Sequence, residues 1–116
     1  MKMKEPARFY REFSFEIKPE LRQILFLIDD YTRIAHGKEI TITSLVRTPE
    51  ENTNLGGMQY SAHLFGRAAD IRSHNFSPAE LQDIISYMNG RWPDLYVIYH
   101  SALTGPHIHI NLKYEG

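Results

Sequence analysis

Near the end of the chain, "PHIHINL" alternates without a break: His107, His109 and Asn111 share one parity, Ile108, Ile110 and Leu112 the other. Successive strand side chains point to opposite faces, so a strand here carries imidazoles and an amide on one side and branched apolar groups on the other. Such a sheet must bury its apolar side against helices and leave the polar side to line a groove. The preceding run "LYVIYHS", joined to it through Thr104, Gly105 and Pro106, completes a C-terminal β-hairpin.

The helices that cover this sheet are legible upstream. From Pro19 to His36 the residues Leu21, Ile24, Leu25, Ile28, Tyr31 and Ala35 recur at helical spacing. Pro19 suits a first turn, and Gly37 suits a C-terminal cap. "SPAEL" announces a second helix, with Ser77 as cap, Pro78 at the first position and Glu80 reaching back. Its buried stripe is Leu81, Ile84, Ile85 and Met88, and Asn89 and Gly90 end it.

"EITITSLV" alternates in β-branched residues and reads as a strand, as does the shorter "RAADIRS". Between them, Arg47 to Ser61 is rich in turn formers and reads as a long loop with one short helical turn after Pro49; Gly56 and Gly57 serve its conformation. Phe9, Tyr10, Phe13 and Phe15 read as an N-terminal strand or arm covering the core. The order helix, strand, loop, strand, helix, hairpin predicts an α+β fold: a central antiparallel sheet with helices packed on one face. At 116 residues, a single domain over residues 1–116 is expected.

Thirteen Lys and Arg against fourteen Asp and Glu leave no basic field for nucleic acid or anionic membrane. The chain has no cysteine, so a bound metal must be held by His, Asp or Glu. The N-terminal "MKMKEPARFYREF" lacks the ~7–15 apolar residues of a secretory signal, and nowhere do ~18 apolar residues run together. As written the sequence reads as a monomer that stays in the cytoplasm unless some other route releases it.

Two metal ligands frame "YSAHLFGRAADI", where His63 and Asp70 stand seven residues apart. His107 and His109, about 7 Å apart along a strand, can point at the same centre. A catalytic zinc takes three ligands of imidazole and carboxylate type and keeps a further position for water, whose pKa drops to roughly 7. On spacing alone, a structural hydrogen bond between His63 and Asp70 is the ordinary explanation.

The residues around them are more specific. "SAHLFGRAAD" fits S-x-H-x-x-G-x-A-x-D at every fixed position, and "HIH" follows near the end. From "SLVRT" to "HIHI" the chain resembles the zinc D-alanyl-D-alanine carboxypeptidases and the related L-alanyl-D-glutamate endopeptidases of phage lysis. That superfamily shares its fold with the hedgehog signalling domain. The resemblance implies that His63, Asp70 and His109 bind Zn2+. It also implies that Arg47 and Ser61 orient a peptidoglycan peptide or muropeptide, and that the reaction is hydrolysis of a stem-peptide bond. Arginine suits that task because its planar fork grips a carboxylate.

The chain departs from the family at one place. Many relatives carry an acidic base three residues before the last zinc histidine, and here that residue is Pro106. Metallopeptidases of similar architecture have a non-ligand histidine opening H-x-H, which makes His107 the candidate acid/base, with Glu115 and Asp94 as fallbacks. His107 could equally line the groove, Arg47 could pair with Glu50 or Glu51, and Ser61 could serve as a turn or cap. Two rivals to the enzyme are a zinc-containing binding module without turnover and a metal-free structural part of a phage assembly. His100 reads as packing, although it could neighbour the site across the hairpin.

Overall fold

The longest helix runs over Pro19–His36, and Gly37 closes it with a left-handed φ of 67°, its N–H bonded to the Arg33 carbonyl. Its stripe of Leu21, Ile24, Leu25 and Ile28 is buried as the spacing predicts. One turn later the buried residue is Thr32, whereas Ala35 is exposed. There Asp29 is drawn in because its Oδ1 accepts from the Ile40 backbone N–H at 2.9 Å.

In this computed structural model, residues 1–54, 62–100 and 106–113 are described. The strands are β1 (Lys2–Met3), β2 (Thr41–Ser44), β3 (Ala68–Arg72), β4 (Leu95–His100) and β5 (His107–Leu112). The helices are α1 (Pro6–Arg11), α2 (Pro19–His36), α3 (Pro49–Asn54) and α4 (Pro78–Arg91). A π-helical turn covers Glu12–Glu16, and a 3-10 turn covers Ala62–Phe65. No helix among the described residues is long and apolar enough to cross a membrane.

The fold is α+β, with one five-stranded sheet in the order β1-β2-β3-β5-β4. Its pairings are antiparallel except at the edge, where β1 lies parallel to β2, so the sheet is mixed rather than purely antiparallel. The two-residue β1 is too short to leave an alternation in the sequence. The aromatic N-terminal segment is helical rather than a strand or arm. Phe9 and Phe13 sit four residues apart on one buried face, whereas Tyr10 and Phe15 are exposed.

Ser77 and Glu80 form the expected capping box at the start of α4. The helix continues past Asn89 and Gly90 to Arg91, because the Trp92 N–H still reaches the Met88 carbonyl. One core joins Ile42 of β2, Ala69 and Ile71 of β3, and Ile108, Ile110 and Leu112 of β5 to Leu21, Leu25 and Ile28 of α2 and Ile84 and Met88 of α4. The other parity of β3 and β5 is thereby turned away from α2 and α4, and that face carries the candidate site.

A candidate metal centre on the open face of the sheet

Strand register does most of the assembly. Asp70 of β3 lies directly opposite His109 of β5, and Arg72 lies opposite His107. On the other side of β5, Ile98 pairs with His109 and His100 pairs with His107. Directly opposed residues bring their Cβ atoms to ~4.5–5.5 Å, so short polar side chains there meet without help from a loop. Between β2 and β3 the register shifts between Ile42 and Ser44, a bulge placed beside Asp70. Such a bulge bends a strand and re-aims its neighbours.

His63 arrives from the 3-10 turn. Its Nδ1 lies 2.6 Å from the Leu45 carbonyl oxygen, which can only accept, so Nδ1 carries the proton and Nε2 is the basic atom. That Nε2 faces Asp70 Oδ1 at 3.3 Å. The turn is held from behind by Gly66, whose φ is +67° and whose carbonyl accepts from Lys18 at 2.9 Å. A Cβ on Gly66 would stand 2.6 Å from the Glu16 carbonyl oxygen. Glycine is therefore required between His63 and Asp70 both by backbone conformation and by close approach.

His109 turns Nδ1 to Asp70 Oδ1 at 2.9 Å. Its Nε2 lies 2.8 Å from the side-chain oxygen of Asn111, whose amide nitrogen donates in turn to the Leu112 carbonyl. The amide is thus fixed with its oxygen toward the ring, so Nε2 donates and Nδ1 is left for the centre. His63, Asp70 and His109 each offer one ligand atom, and these atoms lie within 4.8 Å of one another. The His63 and His109 rings have centres 5.2 Å apart. Two imidazoles on one tetrahedral ion, with Zn–N of about 2.0–2.1 Å, have centres about 5 Å apart. Donor chemistry, spacing and orientation all fit a zinc ion.

Asp70 is buried, which by itself pushes its carboxyl up. Contacts with the surrounding imidazoles of His109, His63 and His107 favour the carboxylate over its acid, outweigh burial and hold it well below the usual carboxylate range. It is an anion poised for a cation. Arg47 contributes by bonding Asp70 Oδ2 through Nη2 at 3.4 Å and Asn52 through Nη1 at 3.2 Å. It does not pair with Glu50 or Glu51; Glu51 is taken by Arg8, whose Nη2 donates to it at 2.7 Å. His107 Nε2 stands 3.7 Å from Asp70 Oδ2. Burial, then the His107 and His109 charges, lower the pKa of His100.

Arg47, Asp70 and His107 line a cavity of about 230 Å³ together with Lys4, Arg8 and Glu51. Glu51 is ionised but a poor base, since hydrogen bonds from Arg8 and from the Thr48 backbone hold its pKa at about 2. Asp94, a fallback for the missing base, lies instead beside a second cavity with Trp92, Leu95 and Leu112. Leu95 and Leu112 pair at the end of the hairpin opposite His100 and His107. Ser61 and Glu115 fall outside the described residues, as do Gly56, Gly57, Thr104 and Gly105.

The structure therefore brings His63, Asp70, His109, Arg47 and His107 together. The Leu45 carbonyl, Asn52 and Asn111 orient them and carried no separate signal in the sequence, although the period-2 pattern had placed Asn111 on the right face. The family described as Peptidase M15 matches the chain over residues 14–111. The motif resemblance began only at Ser44, so the match extends it back across α2. No curated protein and no solved structure matches the chain.

Proposed function

The chain belongs to the Peptidase M15 family, and from that premise we propose that it is a zinc metallopeptidase hydrolysing peptidoglycan stem-peptide bonds. The bond would be of the D-alanyl-D-alanine carboxypeptidase or L-alanyl-D-glutamate endopeptidase type. One observation carries this reading: His63, Asp70 and His109 converge with their ligand atoms within 4.8 Å. These three residues would hold the ion. When bound, zinc supplies a Lewis acid for the scissile carbonyl and lowers the pKa of a water toward neutrality.

The chain's own groups would do the rest. The Leu45 carbonyl and Asn111 fix the tautomers of the two ligand histidines. Arg47 steadies Asp70 and sets a cation at the cavity wall, where a substrate carboxylate would find it. His107 would take a proton from the attacking water and return it to the leaving amine. Support for His107 comes from its place 3.7 Å from Asp70 and from the weak basicity of Glu51 in the same cavity. Ser61 remains a substrate-binding candidate on the resemblance alone.

A second reading, a zinc-containing binding module without turnover, is favoured by Pro106 standing where relatives carry an acid. Mass spectrometry of muropeptides incubated with zinc-loaded protein separates the two. The peptidase reading predicts a product with the parent and none with His109→Ala, its mass loss identifying the bond. Bound zinc with no product would replace the enzyme by the binding module.

A further inference from the structure

His100 takes no part in the centre described above, yet it stands directly across the hairpin from His107. The two rings are tilted by 36° with centres 5.2 Å apart, the same separation that His63 and His109 show. As for that pair, two imidazoles sharing a tetrahedral ion have centres about 5 Å apart. We propose that His100 and His107 form a second, weaker site for an imidazole-seeking divalent ion such as zinc, copper or nickel, beside the family's metal centre and distinct from it.

Imidazole suits zinc, copper and nickel alike. Two protein ligands hold an ion less firmly than three, and water would complete the shell. Asp70 Oδ2, 3.7 Å from His107 Nε2, contributes negative charge to this side of the centre. Against it, Arg72 pairs in register with His107 on the same face of the sheet. That cation opposes a second ion and sets its affinity below the first. His100 is exposed on the edge strand, so an ion can reach it from solvent. If His107 moves protons as proposed above, an ion seated here takes its lone pair, and excess zinc inhibits turnover. The site itself does not depend on that role.

The test is titration of metal-free protein with zinc, read by calorimetry and by elemental analysis after removal of unbound ion. The parent should bind two ions per chain, the second at least about tenfold more weakly, because it has two protein ligands rather than three. His100→Ala and His100→Gln should each bind one ion with the first affinity unchanged, and Arg72→Ala should tighten the second. A single ion in the parent, or two ions retained in both His100 variants, overturns the second site. The first centre is read separately: His109→Ala should abolish the tight ion, and if it does not, the metal-centre assignment fails instead.

Discussion

Replacing Gly66 by alanine should damage both the fold and the metal centre, and the structure allows its cost to be apportioned. The residue has φ of +67°, where an L side chain costs ~1–2 kcal/mol. The new Cβ would stand 2.6 Å from the Glu16 carbonyl oxygen and 3.1 Å from the Ile17 Cα. Both are backbone atoms that no rotamer change can move, and forcing a packed region apart in this way costs ~1–3 kcal/mol. Stiffening of the unfolded chain returns ~0.4–1 kcal/mol.

The net expectation is a loss of about 2–4 kcal/mol, measured by urea unfolding of the metal-free protein. Gly37 supplies the control. It has the same φ of +67° but nothing within 4 Å of the Cβ that alanine would add, so Gly37→Ala should cost only about 1 kcal/mol. The difference between the two variants isolates the clash against the N-terminal helical segment. Equal losses at both positions would refute the close-approach argument. Because Gly66 lies between His63 and Asp70, Gly66→Ala should also weaken zinc binding, whereas Gly37→Ala should leave it unchanged.

His107→Ala should keep the tight zinc ion and lose at least about a hundredfold in kcat, within the range for removing a general acid or base; full turnover would remove His107 from the mechanism. Arg8→Ala should destabilise the fold by about 3 kcal/mol, because it strips the cation from Glu12, which is 2% exposed and, among the described residues, keeps its bond from the Val46 N–H. An unchanged urea midpoint would show that this pair contributes nothing. Ser77→Ala should cost about 1 kcal/mol through loss of the α4 capping box, read by the same assay. Acid should weaken the fold in a defined window. Glu51 and Glu80 are both depressed from 4.5 to about 2, so their contribution is whole above pH 4.5 and is lost as pH falls toward 2. Glu51→Gln combined with Glu80→Gln should flatten the stability profile there, and an unaltered profile would contradict the assignment.

Period-2 alternation made β5 legible in advance, and with it the open face that carries His107, His109 and Asn111. Helical spacing and capping residues did the same for α2 and for the start of α4, where Ser77, Pro78 and Glu80 act within one turn. The N-terminal region was harder to read. Phe9 and Phe13 suit either a helix or a strand, and only packing against the core selects the helix. The parallel pairing of β1 rests on two residues, too few for any pattern.

At the site, the S-x-H-x-x-G-x-A-x-D motif showed which side chains matter but not how they are held. His63 is oriented by the Leu45 carbonyl, a backbone group that any residue would supply. Pairing of Arg47 with its sequence neighbours Glu50 or Glu51 was the plain alternative to substrate binding, yet Arg8, distant in sequence, captures Glu51 and leaves Arg47 to Asp70. The pairing of His100 with His107 depends on hairpin register, which the turn residues do not specify alone.

The most direct test of the metal centre is X-ray absorption at the zinc edge on protein loaded with one equivalent of zinc, with His100→Ala in every chain to remove the second site: this parent alone, and this parent with His63→Ala, Asp70→Asn or His109→Ala added. The parent should show a first shell of nitrogen and oxygen at ~2.0–2.1 Å with the scattering signature of two imidazoles. Either histidine variant should show one imidazole or no retained zinc, and Asp70→Asn should retain zinc less firmly. A parent that holds no zinc, or a two-imidazole shell that survives both histidine substitutions, would contradict the assignment of His63, Asp70 and His109 as ligands.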